Sequence, residues 1–127
     1  MDIWKLCALV DLETQIEIDK LIDYAYDRTI ERMNAIESAP ENTIHRTIGF
    51  EEKNYSSFGL GYVNYYSGCL EGILFELFLV KFDKLPSPSE IAFISDTIKT
   101  RFDKLKKLCL ELADKLFKEK YPELSRN

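Results

Sequence analysis

At 127 residues, with no internal repeat and no second composition zone, the chain is expected to form a single helical domain over residues 1–127, large enough to hold a core without disulfides or metal. Apolar residues make up 46% and charged residues 31%, with five Gly and four Pro, which excludes a disordered tail and leans toward helix. The net charge of −5 is uneven: residues 1–38 hold nine Asp or Glu against four Lys or Arg, while residues 39–127 hold thirteen of each. Such a chain lacks the clustered cations that grip a phosphate backbone, so nucleic acid is not an expected partner.

At the N-terminus Asp2 stands where an export signal carries basic residues, and the apolar run Leu6 to Val10 is only five residues long. A cytoplasmic protein is therefore expected. Ile3 to Val10 reads as a short helix, either folding back or continuing into the next one. Thr14-Gln15-Ile16-Glu17 has the Ser/Thr-x-x-Glu form in which hydroxyl and carboxylate each satisfy a free first-turn amide, so a long helix should start there. Ile18, Leu21, Ile22, Ala25, Ile30 and Met33 recur at threes and fours, and Pro40 ends the run near Ser38-Ala39.

Residues 40–61 lose this period and contain Pro40, Gly49, Gly59 and Gly61, which predicts a long loop pinned by Phe50, Tyr55 and Phe58. Residues 62–84 read as a helix apolar nearly all round, hence a central one. Its Gly68 and Gly72, four apart, are expected to admit a close neighbour at a helix-propensity cost of about 1 kcal/mol each. Its Glu76 has apolar sequence neighbours on both sides, which predicts burial. The most apolar stretch, Gly72 to Phe82, is broken by Glu76 and Lys81 and is far short of the roughly 20 residues of a membrane span, so no membrane contact is expected.

Ser87-Pro88-Ser89-Glu90 gives the clearest boundary: a hydroxyl at the N-cap, proline at the first helical position and a glutamate to close the capping box. The apolar stripe Ile91, Ile94, Ile98, Phe102, Leu105, Leu108, Leu112 and Leu116 then runs to about Tyr121-Pro122. A helix of about 30 residues, some 45 Å, is long for a compact domain, which raises the alternative of a homodimer through this C-terminal helix. The fold class is therefore all-α, a compact bundle of three long helices plus a short N-terminal helix.

No catalytic, metal or cofactor signature emerges. A carboxylate-bridged metal pair in a bundle needs Glu-x-x-His pairs, and the single histidine, His45, has no acidic residue three before it. The arginine and following histidine used by small all-helical ribonucleases are missing too, since Arg28, Arg32 and Arg101 have no such partner. Cys7, Cys69 and Cys109 are odd in number, widely spaced and set among apolar neighbours, which fits reduced, inert thiols. A third reading, a small-molecule or enzymatic site, would draw on Glu76 with Tyr62, Tyr65 and Tyr66.

One feature asks for a purpose. Asp19, Asp23, Asp27 and Glu31 repeat at fours on one helix face, and each like-charge neighbour costs about 0.2–0.5 kcal/mol. Asp is also a weaker helix former than Glu. A face built against these costs suits a basic protein partner, such as a toxin or nuclease. The expected function is that of a small acidic binding protein rather than an enzyme, a stoichiometric inhibitor of the immunity or antitoxin type. Its contact residues would be Asp19, Asp23, Asp27 and Glu31, with Phe50 and Tyr55 as aromatic anchors. The alternative is a homodimeric helical scaffold or regulatory protein.

Overall fold

The computed structural model describes residues 3–39 and 53–124, apart from the side chains of residues 3, 4 and 37. Among these residues the chain is all-α: α1 spans Ile3–Cys7, α2 Leu12–Glu37, α3 Tyr55–Phe82 and α4 Pro88–Lys120, and the three long helices pack on one another as a bundle. His45, Gly49 and Phe50 lie outside the described residues.

α1 is a separate short helix. Its end is closed by the Leu9 N–H on the Leu6 carbonyl (3.1 Å) and the Val10 N–H on the Cys7 carbonyl (3.1 Å). The cap of α2 is Asp11, three residues before the Thr14 that the sequence pattern indicates. The Asp11 carboxylate accepts the Thr14 N–H at 2.8 Å and the Thr14 hydroxyl at 3.1 Å. A carboxylate both caps the free amides and complements the positive helix terminus, so it displaces a hydroxyl three residues on. These bonds, the Thr14 N–H first, hold the Asp11 carboxyl below the usual range. Gln15 donates its side-chain amide to the Val10 carbonyl at 2.8 Å and pins the joint.

α3 begins seven residues before the sequence pattern suggests. Asn54 caps it, accepting the Ser57 N–H on its side chain at 3.1 Å and the Phe58 N–H on its carbonyl at 2.9 Å. Gly59 and Gly61 are therefore helical. The reason lies in α4: a Cβ on Gly59 would sit 2.9 Å from Leu110 Cδ2, so glycine is kept for a close approach and not for a turn. α3 ends where Asp83 takes a left-handed conformation (φ 54°), one that Asp tolerates better than most residues, with its N–H on the Leu79 carbonyl at 2.8 Å.

The start of α4 follows its sequence signature. Glu90 accepts the Ser87 N–H at 2.8 Å and donates its own N–H to the Ser87 hydroxyl at 3.2 Å, while the Lys84 ammonium lies 2.7 Å from the same carboxylate. Burial pushes the pKa of Glu90 up, but Lys84 and the Ser87 bonds outweigh it and hold the carboxyl below its ordinary value.

The helices form two compact units. Among the described residues, those up to Arg28 pack with Leu70–Asp103, and those of Thr29–Cys69 pack with those from Lys104 onward. The first unit buries Ile18, Ile22, Ala25 and Tyr26 of α2 against Leu70, Leu74 and Phe78 of α3 and Ile94 of α4. The Tyr26 hydroxyl donates to the Ile98 carbonyl at 3.4 Å, and Lys81 meets Glu17 at 3.5 Å, tying the end of α3 to the start of α2.

The second unit is aromatic. Phe58 packs 5.3 Å from both Tyr62 and Phe117, Tyr55 meets Phe117 edge-on at 5.3 Å, and Phe117 lies 5.2 Å from Tyr121. Pairs Tyr55 with Asp114 and Gly59 with Leu110 fall in number along α4 as they rise along α3, so the two helices run antiparallel. Tyr66 is fully buried with the Tyr62 and Tyr65 rings beside it, and its hydroxyl has no hydrogen-bond partner among the described residues; burial pushes its pKa far up.

The buried residues of α3 follow a row at fours: Phe58, Tyr62, Tyr66, Leu70, Leu74 and Phe78. Each step of four turns about 40° round the helix, so over its five steps the row sweeps about 200°, and with the half-buried residues beside it the sequence looks apolar on every side. Locally only one side is buried. Gly68, Gly72 and Glu76 are exposed, and among the described residues a Cβ added at either glycine meets nothing within 4 Å. The expected close neighbour at these glycines and the expected burial of Glu76 are both corrected: residues four apart, not adjacent ones, surround a helical side chain, and for Glu76 these are Gly72 and Val80, both exposed.

Candidate functional site

α2 carries two stripes. The buried one runs Ile18, Ile22, Ala25, Thr29, Met33 and Ile36 at spacings of four, three, four, four and three. A second runs Leu12, Ile16, Asp19, Asp23 and Asp27 at spacings of four, three, four and four, within an arc of about 80°. All five belong to the first unit. Leu12 is 70% and Ile16 47% exposed, large apolar side chains standing in water at the head of an acidic row.

Arg101 of α4 borders this stripe. Its guanidinium is hydrogen-bonded to Asp23 and lies 3.9 Å from Asp19, so one cation serves two carboxylates. Asp23 keeps 66% of its side chain exposed even so, and the pair is worth little to stability at such exposure. What Arg101 does is order the two carboxylates. Asp27 is exposed and has no ion-pair partner among the described residues.

The proposed contact residues therefore separate. Asp19, Asp23 and Asp27 share one face of the first unit, while Glu31, the last of the row, belongs to the second. Tyr55 is also in the second unit. It is 54% exposed, and its hydroxyl donates to Asp114 Oδ1 at 2.5 Å, which raises the tyrosine pKa and, with Lys118 at 3.0 Å, lowers that of Asp114. Leu12 and Ile16 were not among the expected contact residues. The available signal was their phase with Asp19 and Asp23, opposite in role to the Ile18 stripe.

Charge follows the units. Among the described residues the first unit holds twelve Asp or Glu against seven Lys or Arg, a net −5, and the second six against eight, a net +2. The acidity seen in the first third of the sequence is thus joined by residues 70–103, which add Glu71, Glu76, Asp83, Glu90, Asp96 and Asp103 to the same unit.

Other candidate chemistry is sparse. A groove of about 210 Å³ in the second unit is lined by Ile30, Met33, Leu108, Leu112, Asn34, Glu111 and Lys115, smaller than the roughly 300 Å³ at which ligand pockets begin. Cys109 is buried and its thiol is pushed up to about 11, and the half-buried Cys7 thiol is raised by burial first and then by Asp96. Among the described residues no group of three His, Cys, Asp or Glu side chains is arranged to hold a metal ion, and no helix is long and apolar enough to cross a membrane.

Compared with known proteins, the chain matches no protein-family model, no curated protein and no solved structure.

Proposed function

We propose that this chain is a protein-binding protein that covers a basic surface of its partner, acting as a stoichiometric inhibitor of the immunity or antitoxin type and not by turnover. The observation that carries the reading is the charge of the first unit, a net −5 among described residues, with Asp23 and Asp27 turned outward on α2. A cationic partner gains steered encounter from such a field, and pairing at the contact fixes its orientation. A toxin or nuclease with a positive functional groove has the matching surface. The anchoring part is taken by apolar residues of α2 itself, Leu12 and Ile16, which share the stripe of the acidic row.

The homodimer reading has less support. Of the α4 stripe, Ile94, Leu105, Leu112 and Leu116 are buried within the chain, Ile98, Phe102 and Leu108 are half-buried and Ile91 alone is exposed, so the length of α4 does not by itself call for a second subunit.

The test is purification of the tagged chain with its partner from source cells, then titration of the identified partner by calorimetry across about 50–300 mM salt. Binding should weaken as salt rises, and the D23N/D27N double variant should lose about tenfold in affinity or more, or about 1.4 kcal/mol. Affinity indifferent to both salt and the double variant would remove the acidic face from the reading.

A further inference from the structure

Resting on that reading, we propose that the outer stripe of α2 receives a cationic amphipathic helix of the partner, with Leu12 and Ile16 packing on its apolar positions and Asp23 and Asp27 meeting its lysines or arginines.

The geometry favours a helix over other partner elements. From Leu12 to Asp27 the stripe is about 22 Å long with an average step of about 5.6 Å, the step a facing stripe on a second helix also has. An extended strand repeats its same-face side chains about every 6.6 Å, and so slips out of register by roughly 4 Å over the same four steps. The apolar and acidic residues are also segregated: both apolar side chains lead and the carboxylates follow. The partner must then segregate leucine-like and basic residues along its own stripe in the matching order.

Charge selects the partner's chemistry. The first unit repels an anionic lipid surface or a nucleic acid, so the apolar pair is not a membrane foot. Arg101 strengthens the case, because its bond to Asp23 and its contact with Asp19 hold those carboxylates in place before a partner arrives, which lowers the ordering cost of binding.

The experiment uses the full chain and two designed peptides of about 22 residues with identical composition. The stripe peptide carries two leucines and two lysines at stripe positions; in the control the leucines are moved to the opposite face. Fluorescence anisotropy should show the stripe peptide binding at least about tenfold more tightly. Leu12→Ser with Ile16→Ser, both exposed and therefore compatible with folding as checked by circular dichroism, should abolish that advantage while leaving the salt dependence. D23N/D27N should flatten the salt dependence.

Equal binding of the two peptides, with only the Asn variants weakening it, overturns the helix inference and leaves the charge reading standing. Absence of any effect of D23N/D27N overturns both. No binding of the stripe peptide at about 1 mM also overturns the helix inference. Self-association of the wild-type chain by light scattering, lost in the Ser variant, assigns the stripe to a second copy and overturns it as well.

Discussion

Replacing Gly68 and Gly72 by alanine isolates backbone propensity from packing. Both glycines sit in the middle of α3, exposed, and among the described residues an added Cβ meets no atom within 4 Å at either position. The steric cost is therefore nil, and the gain is the propensity difference between Ala and Gly, about 0.8–1.0 kcal/mol at each site. The double variant should gain about 1.5–2 kcal/mol, a substantial part of a total stability of about 5–15 kcal/mol. With an unfolding entropy near 0.27 kcal/mol/K for a chain of this length, that corresponds to a rise in Tm of about 6–7 °C. Urea unfolding followed by circular dichroism gives the free energy, and a thermal scan gives Tm. Gly59→Ala is the contrast: its methyl would lie 2.9 Å from Leu110 Cδ2, so the same propensity gain is offset by moving a 40% exposed leucine, and a smaller net change is expected. A loss of stability in G68A/G72A would refute the argument, because it would require a contact at these positions that the fold does not have.

Ser87→Ala removes the hydroxyl that accepts the Glu90 N–H and should cost about 1 kcal/mol in urea unfolding. Glu90 has a folded pKa below its ordinary value of about 4.5, so its contribution is present above that pH and is lost as pH falls through the folded pKa; E90Q should lower stability at pH 7 and narrow the gap to wild type below about pH 4.5. Tyr66→Phe deletes a buried hydroxyl without a partner and should be neutral or stabilising by about 1 kcal/mol, whereas a clear loss would mean that the hydroxyl is satisfied. Arg101→Gln frees Asp19 and Asp23, so stability should move by less than about 0.5 kcal/mol while the salt dependence of binding to a basic peptide steepens.

What was legible in the sequence was local. The Ser87-Pro88-Glu90 cap completes itself within three residues, and the 3.6-residue period of α2 and α4 shows wherever one stripe is buried, so those helices could be read directly. The start of α3 could not. Gly59 and Gly61 look like loop punctuation, but Gly59 is there because Leu110, 51 positions later, crosses it. Asp11 took the cap assigned to Thr14 because both residues offer an acceptor and only geometry decides between them. At the candidate site the four-residue spacing of the acids was visible, whereas Arg101, 78 positions after Asp23, and the division of Glu31 and Tyr55 from the other acids belong to tertiary structure.

The acidic row by itself does not demand a partner. Its like-charge contacts cost about 0.2–0.5 kcal/mol each, and Arg101 relieves the Asp19–Asp23 contact, so the residual penalty is within what any domain carries. Exposed apolar side chains also occur elsewhere, Leu9, Val80 and Leu85 among them, so exposure alone marks nothing. What sets Leu12 and Ile16 apart is phase: they lie outside the stripe that builds the core and on the same arc of α2 as Asp19 and Asp23. Covering them against another apolar surface would be favourable by about 25 cal/mol per Å² removed from water, and the carboxylates that follow restrict that surface to one bordered by positive charge. The proposed binding edge rests on the pairing of an exposed apolar head with an acidic tail on one helix, and each half can be removed without touching the core.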